Sequence, residues 1–303
     1  MADSWKISAF APKSVVHDAL LAHDEALDWE PEVVLSGREV DKDRPEDWIL
    51  EAWLSRPPGD AELAMVAVLF DHGTPELTIE KLPDEDWITI SQQGVEPIRA
   101  GKFYIHTPDH QADTRPGTVN FCIPASQAFG TGQHETTAGC LAMLDEMKQS
   151  GLVARSIADI GTGTGLLAFA AMHLWPHARA TATDIDPVCV DVVDHNAKGN
   201  FVSMGAGQGE LTMIVADGMD NALLQARGPY DLLIANILAG PLIELAPDFG
   251  ASVPAGGNLL LAGLLETQEK KVRRACFRAG FRLARRRVHG DWSILWLRKR
   301  PGT

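Results

Sequence analysis

The sequence contains no run of about 18 apolar residues, so nothing in it predicts a membrane-spanning helix. Its N-terminus lacks the basic patch and apolar core of a signal peptide. No C-x-x-C pair and no histidine cluster has the spacing of metal ligands, and the four cysteines lie far apart, at Cys122, Cys140, Cys189 and Cys276. We therefore expect a soluble cytoplasmic protein with reduced thiols, no metal and no membrane partner.

The 303 residues are enough for two domains, and an apolar content of 45% supports ordinary globular cores. The net charge of −14 is unevenly spread: residues 1–83 hold 7 basic and 18 acidic residues, whereas residues 266–303 hold 12 basic and 3 acidic ones. An acidic N-terminal third would repel nucleic acid and attract a basic protein, although it could equally serve as a solubilising surface.

Hydrophobic periodicity in the first 84 residues predicts the order β-α-β-β-α-β. Both helices could cover one face of a small antiparallel sheet, which predicts a ferredoxin-like α+β domain over residues 1–84. The predicted elements are Trp5–Phe10, Ser14–Leu27, Val33–Val40, Trp48–Leu54, Asp60–Phe70 and Leu77–Lys81.

Residues 85–116 are rich in proline and predict a connector with one short strand, Lys102–His106. Residues 117–303 form the second predicted domain, in which strands alternate with helices, as in a parallel sheet with helices on both faces. The tail differs, because Phe281–Val288 and Trp292–Leu297 are separated only by three residues and predict an antiparallel hairpin. The predicted fold class is therefore a Rossmann-like doubly wound α/β sheet with an antiparallel C-terminal hairpin. Its five parallel strands are predicted near residues 155–160, 179–183, 211–216, 230–235 and 257–262.

A glycine-rich turn, D-I-G-T-G-T-G at residues 159–165, follows the first of these strands and precedes a helix. Glycines such as Gly161 and Gly163 let the backbone approach a ligand closely, and the helix N-terminus offers unpaired N–H groups. A dinucleotide fingerprint requires glycine at the position of Leu166. The spacing thus favours S-adenosyl-L-methionine as the cofactor and disfavours an NAD oxidoreductase.

Acidic residues follow the next two strands. Asp184 ends the second strand, where a nucleotide-binding α/β unit places the carboxylate for the ribose hydroxyls. It could instead cap the next helix, but Asp186 is better placed for that role. Asp217 follows the third strand. It is a candidate to lie beside the adenine, and the alternative is that it is simply an acidic residue of a turn.

Two further segments are distinctive: Q-A-F-G-T-G-Q-H-E-T-T at residues 127–137, and A-N-I-L-A-G-P-L at residues 235–242. Together with the glycine turn and the D-I-D-P sequence at residues 184–187, they resemble the bacterial PrmA family, the methyltransferases of ribosomal protein L11. The similarity runs from about Trp87 to Trp296 and is weaker over residues 1–84, although the inferred element order there resembles the family's substrate-recognition domain.

The resemblance implies a Class I methyltransferase fold and transfer of methyl groups from S-adenosylmethionine to lysine ε-amino and N-terminal α-amino groups of L11. Carbonyl groups at the end of the fourth parallel strand could orient an amine lone pair at the methyl group, so Asn236 is the candidate catalytic residue for positioning the amine, although a strand-terminal turn residue is the alternative. Other amino-group methyltransferases commonly have the sequence N-P-P-Y here, whereas this chain has Ile237-Leu238 after Asn236. Without the aromatic residue, the entrance to the acceptor pocket would be wider. The implied contacts to the cofactor are made by Thr137, Gly161, Asp184 and Asn236, with Phe129, Gly130 and Thr131 folding over it.

Two alternatives stay open: a lysine methyltransferase of the same superfamily that acts on another protein, and a non-catalytic module for ribosome assembly that binds S-adenosylmethionine. The basic tail raises the question of RNA contact, but such a charge run more often forms a solvated helix face and protects an edge strand. We therefore expect a basic ribosomal protein as partner, no direct RNA contact and a monomer.

Overall fold

The computed structural model describes residues 5–25, 29, 33–41, 44–54, 56–70, 73–81, 96–124 and 133–301. These residues divide into two compact units, one ending at Lys81 and the other beginning at Glu96. The part of the predicted connector that is described therefore belongs to the second unit. Within the described ranges, every helix is too short or too polar to cross a membrane.

The first unit has the predicted order of elements and one antiparallel sheet with strand order β2-β3-β1-β4. Helix α2 ends three residues earlier than predicted, because the N–H groups of Leu69 and Phe70 bond carbonyls three residues back and tighten the chain into a turn. The elements are Trp5–Pro12 (β1), Lys13–Glu25 (α1), Val34–Asp41 (β2), Arg44–Leu54 (β3), Asp60–Ala67 (α2) and Leu77–Lys81 (β4).

Helix α1 packs directly on the sheet of this unit, with Val16 and Ala19 fully buried. Gly37 in β2 makes the close approach possible, because a Cβ atom there would lie 2.9 Å from side-chain carbons of Val16 and Leu20. Burying such apolar side chains stabilises the unit by about 25 cal/mol for each Å² removed from water.

The second unit contains a small sheet, a central sheet and seven described helices. The small sheet consists of Ile98–Ala100 (β5), Phe103–His106 (β6) and Val119–Cys122 (β7). The strands of the central sheet are Ser156–Ile160 (β8), Arg179–Asp184 (β9), Leu211–Val215 (β10), Leu232–Asn236 (β11), Asn258–Leu265 (β12), Phe281–His289 (β13) and Trp292–Lys299 (β14). The helices are Gln133–Gln149 (α3), Leu166–Leu174 (α4), Val188–Gly199 (α5), Ala222–Arg227 (α6), Ala239–Glu244 (α7), Ala246–Ser252 (α8) and Glu269–Arg278 (α9).

The central sheet has strand order β10-β9-β8-β11-β12-β14-β13, with the first five strands parallel and β14 antiparallel to both neighbours. This confirms the predicted doubly wound sheet and its hairpin. Successive residues of β8 face opposite sides, so Ile157 joins one apolar core and Ala158 the other. The chain leaves β8 toward β9 and later returns to its other side as β11. A crevice at such a switch point is where doubly wound sheets bind ligands.

Helix α3 lies between the small sheet and the central sheet, an arrangement that the sequence did not reveal. Phe103, Leu141 and Met143 are buried in one core with residues of the central sheet. Gly139 brings the helix onto β14, because a Cβ atom there would lie 2.4 Å from Cδ1 of Ile294. The start of α3, which carries Thr137, is thereby held against the central sheet.

Candidate functional site

The glycine turn after β8 has a backbone that only glycine adopts readily. Gly161, Gly163 and Gly165 have φ values of +68°, +55° and +85°. A Cβ atom on Gly161 would lie 2.3 Å from Cγ2 of Ile237. The turn therefore passes directly against the segment that follows β11.

Asp184, at the end of β9, is bonded to this turn. The N–H of Gly163 donates to Oδ2 of Asp184 at 2.8 Å, and the N–H of Asp186 donates to Oδ1 at 3.1 Å. The first residue of α5, Val188, donates instead to Asp186 at 2.9 Å, as a capping role for Asp186 requires. The half-buried Asp184 carboxylate keeps lone pairs for a further donor, because each oxygen can accept two hydrogen bonds.

Asp159, the last but one residue of β8, lies directly before the glycine turn, and it was not among the predicted candidates for the site. Its side chain is 1% exposed, and Oδ2 accepts from the hydroxyl of Thr162 at 2.6 Å and from the N–H of Ala168 at 3.1 Å. Oδ1 is buried and has no hydrogen-bond partner among the described residues. Burial raises the pKa of Asp159 to about 6, and the nearby charge of Asp184 adds to the shift. An acidic residue in an otherwise apolar buried strand was the available signal.

Asn236 ends β11 between β8 and β12, half-buried, with Ala262 as its Cα partner in β12. The next residue of β12, Gly263, has φ +82°, and a Cβ atom there would lie 2.2 Å from the carbonyl oxygen of Ile237. Gly263 thus fixes the path of the chain just after Asn236. No local sequence pattern indicates this role of Gly263.

The other predicted contacts are distributed as follows. Thr137 is buried near the start of α3. Asp217 is exposed in a turn, where its carbonyl accepts from the N–H of Asp220 at 3.0 Å. Phe129, Gly130 and Thr131 lie outside the described residues.

A second anchor of the glycine turn comes from α5. The side chain of Asn196, 3% exposed, donates to the carbonyl of Thr164 at 3.0 Å. The turn is therefore held by Asp159 before it, Asp184 beside it and Asn196 behind it. Such a preorganised turn presents its backbone to a ligand without further loss of conformational entropy.

The geometry suits a ligand with hydroxyl groups and a cationic end, and comparison with known proteins gives the family. The model of the family described as Ribosomal protein L11 methyltransferase (PrmA) matches residues 26–300. The chain belongs to this family. It is 37% identical over 281 residues to the ribosomal protein L11 methyltransferase of Rhizobium meliloti (strain 1021), covering 92% of this chain and 94% of that protein. It is also 37% identical to the Agrobacterium fabrum (strain C58) protein of the same name, covering 89% and 90%.

A solved structure supports the same fold. The ribosomal protein L11 methylase of Lactobacillus delbrueckii subsp. bulgaricus superposes with a TM-score of 0.53 at 25% sequence identity, covering 66% of this chain and 94% of that chain. Membership of the PrmA family makes this chain a methyltransferase that acts on protein. The family that the motifs indicated is confirmed.

Proposed function

We propose that this chain transfers methyl groups from S-adenosylmethionine to the lysine ε-amino groups and the N-terminal α-amino group of ribosomal protein L11. The observation that carries the proposal is the hydrogen bond between Gly163 and Asp184, which joins the glycine turn to the acidic strand end beside the switch point. The names of the full-length relatives support L11 as the substrate.

Each part of S-adenosylmethionine has a partner of suitable chemistry. The ribose hydroxyls would donate to Asp184, and Gly161 and Gly163 leave room for the methionine part. The orphaned Oδ1 of Asp159 suits the ammonium group, because a buried acceptor without a partner is costly until one is supplied. Asp217 would lie by the adenine. Thr137 and Asn236 complete the described contacts, and Phe129, Gly130 and Thr131 would fold over the cofactor.

When bound, S-adenosylmethionine supplies an electrophilic methyl group, and the chain's own task is to present a neutral amine to it. Holding a lysine of pKa about 10.4 neutral at pH 7 costs about 4.6 kcal/mol, so the site must desolvate the ammonium or accept its proton. The side-chain carbonyl of Asn236 would orient the amine, a contribution of proximity and orientation. Ile237 and Leu238 carry no hydrogen-bonding side chain, so they leave the amine to Asn236 and to backbone carbonyls.

The role of Asp159 predicts a pH dependence of cofactor binding. As the pH falls through about 6 the carboxylate becomes protonated and loses its attraction for an ammonium group. The Kd for S-adenosylmethionine should then rise, and well below that pH it should rise about tenfold for each further unit by which the pH falls. Asp159→Asn should bind weakly at neutral pH and lose this dependence, as measured by calorimetry across the range.

The thermal stability of Asp159→Asn distinguishes weakened cofactor binding from misfolding of the variant. Because the folded pKa of Asp159 is raised, its contribution to stability is fully present below 3.8 and is lost as the pH rises through about 6. Asp159→Asn should therefore keep or raise the thermal midpoint at neutral pH. A variant that melts earlier and binds the cofactor normally would contradict this role.

The acidic first unit supports recognition of a basic substrate. Four of its described basic residues are engaged in ion pairs, and Lys13 and Lys81 lie over tryptophan rings. With 18 acidic against 7 basic residues over residues 1–83, an excess of eleven carboxylates is left to attract a basic protein.

We expect the double variant E46Q/E76Q to raise KM for L11 by about three- to tenfold, because electrostatic steering weakens with each charge removed. Both side chains are exposed in the first unit. The control D109N/D248N removes two exposed carboxylates from the second unit and should leave KM near that of the wild type. KM for L11 is measured by steady-state kinetics. If both double variants raise KM equally, the cause is the net charge of the chain and not the acidic surface of the first unit.

The substrate is tested by incubating the purified chain with labelled S-adenosylmethionine and separated proteins of the large ribosomal subunit. We expect label on L11. Label on another protein and none on L11 would overturn the substrate and favour a different protein acceptor. Binding of the cofactor with no label on any protein would favour a non-catalytic role.

A further inference from the structure

The arginines of the C-terminal segment divide into two groups that differ in their partners. Those facing α3 and the start of α9 have carboxylate partners: Arg285 and Arg287 share Glu146, at 2.6 and 2.8 Å, and Arg286 pairs with Glu266 at 3.0 Å. Arg298 and Arg300 have no ion pair among the described residues, and neither do Arg274, Arg278 and Arg282.

The second group is concentrated where β13 begins and β14 ends. Arg282 and Arg298 are directly opposite each other in the antiparallel pair, a position where like charges are destabilising. Arg300 lies beyond Arg298 and donates its backbone N–H to Gly280 at 3.0 Å. Burial and the charge of Arg300 both lower the pKa of Arg282, in keeping with a cluster that no carboxylate neutralises. An anion bound between these side chains would relieve the repulsion.

Arg282 also has an unsatisfied donor and an aromatic neighbour. Its guanidinium lies 3.6 Å from the ring centroid of Phe277, and one terminal nitrogen donates to the carbonyl of Phe281 at 2.7 Å. Its Nε is buried without a partner among the described residues. Phe277 is 57% exposed, a large apolar surface in a strongly basic surrounding.

This surface is separate from the candidate methyl-transfer site. Arg298 is the Cα partner of Asn258, the first residue of β12, so it lies at the edge where the parallel strands begin. The glycine turn follows the carboxyl end of β8, at the opposite edge. The cluster therefore lies away from the glycine turn and from Asn236, which ends β11 at that opposite edge.

We propose that Phe277, Arg282, Arg298 and Arg300, together called the arginine surface, bind the phosphodiester backbone of single-stranded RNA. A guanidinium presents a planar fork of donors that matches phosphate oxygens, and an exposed ring can stack on a base. Arg274 and Arg278, on the same helix as Phe277, extend the positive surface. Because the Debye length is only about 10 Å at 0.1 M salt, the acidic charge elsewhere on the chain is largely screened from this surface.

The test measures binding of fluorescein-labelled oligouridylate by anisotropy at several salt concentrations. The double variant R298Q/R300Q should weaken binding about tenfold and reduce the slope of log Kd against log salt by about 1.4, which is the loss of two phosphate contacts at about 0.7 each. The matched control R285Q/R287Q removes the same number of positive charges from side chains that share the Glu146 carboxylate, so it should weaken binding much less than R298Q/R300Q does. Phe277→Ala should weaken binding about fivefold through loss of stacking.

Unlabelled oligoglutamate distinguishes an acidic protein partner from RNA. It should displace the oligouridylate poorly, because it offers no base to Phe277. The proposal fails if wild-type protein does not bind the probe, if both double variants lose the same affinity at matched thermal midpoints, or if oligoglutamate competes as well as unlabelled oligouridylate while Phe277→Ala has no effect.

Discussion

Asp184→Asn should weaken S-adenosylmethionine binding by about 10- to 100-fold, because a hydrogen bond to a charged group typically contributes about 1.5–3 kcal/mol. The substitution removes the charge that would accept the ribose hydroxyls. The asparagine side chain keeps an oxygen that can accept from the N–H of Gly163, a hydrogen bond that is 2.8 Å long with Asp184. The glycine turn itself should therefore persist. Isothermal titration calorimetry at neutral pH measures the change.

Asp186→Asn is the matched control. Asp186 is two residues away, exposed, and accepts from the first N–H of α5 at 2.9 Å. Asparagine caps helices about as well as aspartate, so this variant should bind the cofactor within about threefold of the wild type. Equal weakening in both variants would mean that general negative charge at this turn matters, and that Asp184 is not a specific ligand.

Gly263→Ala should lower kcat/KM for L11 by about 100-fold, because displacement of a reacting group by about 1 Å can cost that much. The added Cβ would lie 2.2 Å from the carbonyl oxygen of Ile237, and a backbone atom cannot rotate away. The chain after Asn236 must therefore shift. Cofactor affinity should fall less than kcat does, because Asp184 ends β9, which β8 and β11 separate from β12 and Gly263. Single-turnover methylation together with calorimetry separates the two quantities.

Gly256→Ala provides the control for backbone strain. Gly256 lies just before β12 with φ +80°, close to the +82° of Gly263, but a Cβ atom there meets nothing within 4 Å. Both variants bear the strain of a left-handed residue, about 1–2 kcal/mol. If Gly256→Ala loses as much activity as Gly263→Ala, the close approach to Ile237 is not the cause.

The order of elements could be predicted because it depends on local patterns. Alternating apolar residues and glycine punctuation indicated both sheets, and the three-residue separation at His289-Gly290-Asp291 indicated the hairpin. Of the small sheet, only β6 was predicted, as the short strand Lys102–His106; β5 and β7 were missed because they are only three and four residues long. Short strands in a proline-rich segment carry too little pattern to separate them from a connector.

The candidate site was predictable only in part. Its motif residues are consecutive in sequence, but the bond from Gly163 to Asp184 spans 21 residues and becomes visible only when β8 and β9 pair. The role of Gly263 depends on contact with Ile237 across two strands. The arginine run shows the same limit, since Glu146, the partner of Arg287, lies 141 residues away in the sequence. Tertiary pairing therefore decides which members of a motif or a charge run have partners.

The most direct test of the account is the intact mass of purified L11 after incubation with this chain and S-adenosylmethionine, alongside an incubation with Asp184→Asn. We predict that L11 gains mass in whole methyl increments with the wild-type chain and gains far less with the variant at the same cofactor concentration. An unchanged mass of L11, from a wild-type preparation shown by calorimetry to bind S-adenosylmethionine, would contradict the account.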